Sequence, residues 1–214
     1  MSTLAIVQAR MTSTRFPGKV LAPLAGKPMV IRQLERIQRA RTLDAVVVAT
    51  SSDPSDDELA AVIERAGVPV VRGSLDDVLA RFIAAIDVFE PDTVVRLTAD
   101  CPLTSAAVID LVVEAFRASG ADYASNTMTP TYPDGLDVEV VKASVLRKVA
   151  EVASDPAERE HVTLGVYRRH DQYRIENVAA ALDLSSLRWT VDPPDDYAFV
   201  RGVYDDLYSA QEDF

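Results

Sequence analysis

Arg10, Arg15 and Lys19 place three cations in the short stretch of residues 8–19, directly after an apolar run. Between them Thr12, Ser13 and Thr14 are small and polar, so backbone N–H groups there can approach an anion closely. Two carboxylates, Asp100 and Asp192, follow other apolar runs far along the chain. Cations plus two separated carboxylates are what metal-dependent nucleotidyl transfer needs: side-chain charge for a triphosphate and hard oxygen ligands for Mg²⁺. The basic stretch is no Walker loop, because neither Lys19 nor Lys27 is followed by Ser or Thr, and it carries no Gly-x-Gly-x-x-Gly fingerprint. Phosphate binding there would rest on side-chain charge.

Charge is distributed to match. Residues 1–41 hold eight Lys and Arg against one acidic residue, net +7, and the rest holds 14 against 32, net −18, which together give the chain's −11. A basic loop inside an acidic protein suits a small, highly charged anion such as a nucleoside triphosphate and repels nucleic acid. With 214 residues, 48% of them hydrophobic and 26% charged, the chain fits one globular domain with a well-buried core. There is no basic leader and no apolar run of membrane-spanning length, so a cytoplasmic protein without membrane attachment is expected. Cys101, the single cysteine, has no partner for an internal disulfide, and a soft thiolate does not serve Mg²⁺, so packing is its expected role.

The elements that must position these groups read as follows. Apolar runs at 3–9, 44–50, 68–72 and 92–98 predict buried strands, each followed by an amphipathic pattern. The first helix opens at Pro28, the second is capped by Ser55 with Glu58, the third by Ser74 or Asp77, and the fourth opens at Thr104 or Ser105. Four strand–helix alternations argue for an α/β protein whose mostly parallel sheet is covered by helices on both faces, a three-layer α/β/α architecture. Ligands of such sheets bind beyond the carboxyl ends of the strands, where the basic stretch, Asp100 and Asp192 all begin.

The second half is less regular. A strand at 121–125 leads to a polar loop at 126–135, long enough to be functional in its own right, with Asn126, Tyr132 and Asp134 as candidates for contact with an acceptor substrate. Residues 136–140 alternate, placing Asp137 and Glu139 on one face; they are either the wet side of a strand or acceptor-side or metal-side groups. Helices at 143–153 and 156–169, strands at 173–179 and 187–191 and a closing helix through Tyr197 and Leu207 complete the reading. His161 is either a helix-surface residue or an acceptor-side group. Arg96, in mid-strand, either enters the cleft or pairs with a buried acid. Trp189, Tyr197, Tyr204 and Tyr208 read as core or subunit contact.

Several motifs carry a resemblance. Val7-Gln8-Ala9-Arg10, Ser13-Thr14-Arg15, Pro17-Gly18-Lys19 and Gly26-Lys27-Pro28-Met29 resemble the opening signature of the cytidylyltransferases that activate acidic sugars such as Kdo and sialic acid. Thr98-Ala99-Asp100-Cys101-Pro102-Leu103, residues 133–140, Arg159-Glu160-His161-Val162 and Trp189-Thr190-Val191-Asp192 are similar to the spore-coat polysaccharide branch of that family. The resemblance implies a nucleotide-diphospho-sugar transferase fold of the GT-A-like Rossmannoid type, CTP as donor, a small-molecule acceptor, Mg²⁺ and a homodimer. Matched by position, Arg10, Arg15 and Lys19 correspond to triphosphate contacts and to the catalytic cations, and Asp100 and Asp192 to metal ligands. Thr98-Ala99-Asp100 departs from the Gln-Gly-Asp common in the sugar-acid enzymes.

The base pocket is expected around Ala9, the loop after Thr50 and the turn carrying Ser74 and Asp77; apart from the resemblance, nothing there separates cytosine from uracil. Two other functions compete. A nucleotide-sugar-dependent glycosyltransferase has no need of a pyrophosphate clamp. A non-catalytic nucleotide-binding subunit has no need of both carboxylates.

Overall fold

The structure, a computed structural model, describes residues 1–208 and 214. Strand β1 (Thr3–Gln8) lies in the interior of a seven-stranded sheet because it is apolar on both faces: Leu4 and Ile6 enter one core layer, Ala5 and Val7 the other. A turn of 3-10 helix at Lys19–Leu21 and a two-stranded ribbon, β2 (Pro23–Leu24) with β3 (Lys27–Pro28), lead into α1 (Met29–Ile37). Then β4 (Ala45–Ser51), α2 (Asp57–Arg65), β5 (Val70–Gly73), α3 (Val78–Phe89), β6 (Thr93–Thr98) and α4 (Ala106–Ser119) alternate as expected.

Strands β5, β4, β1 and β6 lie in that order, all parallel. Beyond β6, β8 (Glu139–Lys142) runs antiparallel to both β6 and β7 (Tyr123–Ser125), and β9 (Ile175–Asn177) closes the edge parallel to β7. Helices α1, α2 and α4 cover one face through Val30, Leu34, Leu59, Ile63, Ile109 and Val113. The other face is covered by α3 and by α5 (Ala143–Val152), with Leu79, Phe82, Ile86, Leu146 and Val149. The short helices α6 (Pro156–Glu160) and α7 (Leu164–Tyr167) follow, and α8 (Pro194–Leu207) packs Val200 and Tyr204 on Leu24, Met29 and Val191. No helix among the described residues is long and apolar enough to cross a membrane.

Four local expectations are revised. Asp53, not Ser55, caps the turn into α2: its Oδ1 accepts from Ser55 N at 2.9 Å while Pro54 supplies a φ suited to the first position. The helix expected at 156–169 breaks at His161, where Val162 takes φ 49°, a conformation that a β-branched residue avoids. The strand expected at 136–140 starts only at Glu139. Before it, the Asn126 amide stands in for a neighbouring strand, donating from Nδ2 to Leu136 O (2.8 Å) and accepting from Val138 N (2.9 Å). Residues 187–191 form no ladder, only a parallel bridge between Arg188 and Asp134. That bridge is tight because Gly135, at φ 110°, brings its backbone against Trp189 and Thr190, where a Cβ would lie 2.7 Å from Thr190 N.

Candidate active site

The basic loop leaves β1 where the sheet's backbone bonds continue one residue further, Ala9 N to Ala49 O and Ala99 N to Gln8 O. Buried Asp56 then catches the chain by accepting from Met11 N at 2.7 Å, and Gly18, at φ 72°, turns it back so that Gly18 N donates to Met11 O. The reversal points Lys19 inward. Its side chain is only 7% exposed as a residue, and Nζ donates to Val191 O (2.6 Å), Asp192 Oδ1 (2.9 Å) and Asp100 Oδ2 (3.3 Å). Asp192 reaches that point although it lies 92 residues after Asp100, because Val191 N donates to Asp100 O at 2.8 Å. The two expected metal carboxylates therefore converge on one ammonium group.

Arg15 adds a second cation, with Nη2 at 2.7 Å from Asp192 Oδ2. Arg188 reaches the same oxygen at 3.4 Å and also pairs with Asp134 and Asp196. Burial would raise the Asp192 pKa, but the Lys19 hydrogen bond and the charges of Lys19, Arg15 and Arg188 outweigh it and hold the carboxyl below its ordinary value. Burial, then the Asp100 charge, pushes the Cys101 thiol up, so this packed side chain is a poor nucleophile.

Arg15, Lys19, Asp100 and Asp192 line a cleft of about 320 Å³, a size suited to a small ligand. Of the residues expected at the site, Ala9, Arg10, Ser13, Thr14, Arg15, Lys19, Asp100, His161 and Asp192 stand on its wall. Thr12, Thr50, Ser74 and Asp77 do not. Thr12 faces solvent, and Thr50 is fully buried at the end of β4. Ser74 Oγ accepts from Asp77 N, while Asp77 caps α3 through Ala80 N and pairs with Arg159.

Among the acceptor candidates only His161 is on the wall. Asn126 is spent on backbone, Asp134 on Arg188, and Tyr132 lies half-buried on the loop. Glu139 corrects the expectation of a wet strand face. It is 8% exposed, and its oxygens accept from Arg96, Tyr123 Oη and Thr163 Oγ1. Arg96 faces it because β6 and β8 pair in the register Arg96↔Glu139, so Arg96 takes the buried-acid alternative. Asp137 is exposed beside this cluster. Desolvation by surrounding protein, then the carboxylates of Asp134, Glu139 and Asp100, pushes its pKa up to about 6.

The wall also carries Gln8, Thr98, Ala99 and Glu160, which belong to the motifs of the resemblance but were not expected as site residues, and Val20, Val78 and Arg81. Glu160 stands 3.9 Å from Arg10. Arg81 is the notable omission. It is 2% exposed, burial lowers its pKa, and Nε and Nη1 have no hydrogen-bond partner among the described residues. A charged residue amid Val78, Leu79 and Phe82 on the inward side of a helix was the available signal.

A family model for cytidylyltransferases matches residues 4–199. The chain belongs to the cytidylyltransferase family. It is 34% identical to the spore coat polysaccharide biosynthesis protein SpsF of Bacillus subtilis over 208 residues, covering 94% of this chain and 85% of that protein. A 3-deoxy-manno-octulosonate cytidylyltransferase of Hydrogenovibrio crunogenus is 32% identical over 71% of this chain and 62% of its own length. Among solved structures, a cytidylyltransferase from Leptospira borgpetersenii superposes with a TM-score of 0.94 at 30% identity, covering all of this chain and 90% of that one. A CMP:2-keto-3-deoxy-manno-octonic acid synthetase complexed with CTP superposes at 0.71 with 18% identity, a likeness of fold, over 99% of this chain and all of that one.

Proposed function

We propose that this cytidylyltransferase transfers CMP from CTP to an acidic sugar or related small acceptor, releasing pyrophosphate, in glycan or natural-product biosynthesis. The observation that carries the reading is the convergence of Lys19 on Asp100 and Asp192 at the end of the basic loop. Relatives named for spore coat polysaccharide biosynthesis and for 3-deoxy-manno-octulosonate cytidylyl transfer support the acceptor class.

The acceptor oxygen forms a bond to the α-phosphorus as the bond from that phosphorus to the bridging oxygen of pyrophosphate breaks, and the electron pair leaves with pyrophosphate. Arg10 and Arg15 bind the outer phosphates, and Lys19 donates to the oxygens that gain charge as the leaving group departs. Asp192 and Asp100 hold Lys19, and Asp192 holds Arg15, in ion pairs, so these cations are positioned at one point for the triphosphate. Asp100 and Asp192 also fit Mg²⁺, since both offer hard oxygens to a single cation-sized point and substrate phosphates and water can complete an octahedron. The ion, when bound, would neutralise phosphate charge and orient the triphosphate. Asp137, whose pKa is raised to about 6 in part by the Asp100 charge, is assigned to the acceptor side together with His161 on the cleft wall.

A homodimer accords with exposed Met128, Leu182, Leu184 and Leu187 on two segments joined by backbone bonds, and sedimentation would show its mass. The test of the activity is pyrophosphate release from each nucleoside triphosphate with a panel of sugar acids. CTP should turn over, and Lys19→Ala should lower the rate about a hundredfold to a thousandfold. Full activity in Lys19→Ala would remove the proposed role of that residue.

A further inference from the structure

We propose that Gln8 and Thr98 form a subsite for one neutral hydroxyl group of the acceptor, Gln8 donating from Nε2 to its oxygen and Thr98 accepting its proton at Oγ1. The inference rests on the nucleotidyl-transfer reading of the cleft and adds to it which kind of acceptor group is read. Both residues stand on the cleft wall, at the last positions of β1 and β6, and they pair in the parallel register Gln8↔Thr98. Neighbouring strands lie about 4.8 Å apart, so one hydroxyl can reach both side chains. Gln8 alternates with Leu4 and Ile6, and Thr98 with Val94, so both project into the layer that also holds Val162, the residue after His161. Val20, the residue after Lys19, belongs to the opposite layer. An acceptor held by Gln8 and Thr98 therefore sits on the His161 side of the cleft, two residues before Asp100 in the chain.

The hydrogen-bond directions at this pair are set by its neighbours. Arg96 Nε donates to Gln8 Oε1 at 3.1 Å, and because a guanidinium has no acceptor the amide is fixed with its oxygen inward. Arg96 is itself pinned by Glu139, its partner across the β6–β8 ladder. Gln8 Nε2 is left without a partner among the described residues, on a side chain half-buried in the cleft wall. At Thr98 the direction follows from Cys101, which has a single S–H. That proton is drawn to the charged Asp100 carboxylate, whose Oδ1 lies 3.5 Å away, so the Thr98 hydroxyl donates to Sγ at 3.4 Å and keeps its lone pairs for the cleft. A donor thus stands beside an acceptor. That is the complement of a hydroxyl, which does both, and not of a carboxylate, which only accepts. Charge agrees with a neutral group: Arg96 is balanced by Glu139, and Glu160 lies 3.9 Å from Arg10.

Steady-state pyrophosphate release tests the assignment, with CTP and Mg²⁺, the sugar acid of the panel that turns over fastest, and the monodeoxy analogues of that acid. In wild type one analogue should show an acceptor KM about threefold to tenfold above that of the full acceptor. Gln8→Met and Thr98→Val should each raise the KM of the full acceptor by about the same factor, leave the CTP KM unchanged and erase the difference at that one analogue. Gln8→Glu keeps an oxygen for Arg96 but turns the cleft-facing donor into an acceptor. It should raise the acceptor KM at least as far while the unfolding midpoint is kept, which separates lost recognition from a loosened Arg96. An unchanged acceptor KM in Gln8→Met, or a Gln8→Met enzyme that still discriminated against the same analogue, would overturn the subsite. A rise confined to the CTP KM would overturn it in favour of a nucleotide contact. Wild-type enzyme that released no pyrophosphate with any sugar acid would strike at the nucleotidyl-transfer reading itself, and the subsite would fall with it.

Discussion

Two clusters of buried charge sit at neighbouring strands, and they differ in what is left over. In one, Arg96 meets Glu139, whose oxygens also accept from Tyr123 and Thr163; the group is closed, and no part of Glu139 forms the cleft wall. In the other, Lys19 meets Asp100 and Asp192, and all three line the cleft. Both satisfy the rule that a buried charge needs a partner. The closed cluster has partners only inside the protein, which makes it a device for holding β6, β7 and α7 together. The open cluster can exchange an internal partner for an incoming one, which is what a binding site requires.

Substitutions should separate the two. Glu139→Ala leaves Arg96 buried without its acid and is expected to cost about 3 to 5 kcal/mol of stability, read by urea unfolding, while the protein that remains folded keeps its turnover. Lys19→Ala should show the reverse weighting, losing turnover with a smaller loss of stability than Glu139→Ala, because Asp100 and Asp192 are partly exposed and can be solvated. If Glu139→Ala abolished activity at unchanged stability, the distinction between the clusters would fail.

A smaller effect is expected at Gly135, which joins the loop at 126–135 to the segment that delivers Asp192. Gly135→Ala forces a side chain against Thr190 at φ 110° and should cost about 1 to 3 kcal/mol, with a loss of turnover because Val191 and Asp192 are displaced. Unfolding and rate measured on one preparation would show both.

The smallest effect concerns Asp137. Its pKa is raised in the folded state, so its ionisation opposes folding above about pH 6. Asp137→Asn should therefore melt higher than wild type at pH 7.5. The difference should shrink as pH falls through about 6 and vanish below the ordinary carboxylate range. A gap that widened on acidification would have the wrong sign. For Asp192, with a lowered pKa, the dependence is opposite: its contribution to stability is present above the ordinary carboxylate pKa and is lost as pH falls through the folded value.

The first half of the molecule is legible because its determinants are local. Strand and helix periods, the cap at Asp77 and three cations after β1 all lie within a few residues of what they specify. In the second half the determinants are distant partners. The Asn126 amide replaces a strand ladder, Gly135 lies against Trp189 and Thr190, and one backbone bond from Val191 to Asp100 sets the second carboxylate beside the first. Period-two alternation placed Asp137 and Glu139 on one face, but it could not show that Arg96 on the neighbouring strand buries one and not the other. Arg81 is not legible as a site residue, because a single arginine on an apolar helix face commonly snorkels to water, whereas here it ends inside a cleft.

In the proposed reaction Asp100 and Asp192 would release Lys19 to the triphosphate and hold its Mg²⁺ instead. Titration of CTP with and without Mg²⁺ into wild type and into Asp100→Asn/Asp192→Asn tests it most directly. Wild type should bind CTP more tightly with the metal than without it, and the double variant should bind equally in both conditions. CTP binding indifferent to Mg²⁺ in wild type, or a metal dependence that survived loss of both carboxylates, would contradict it.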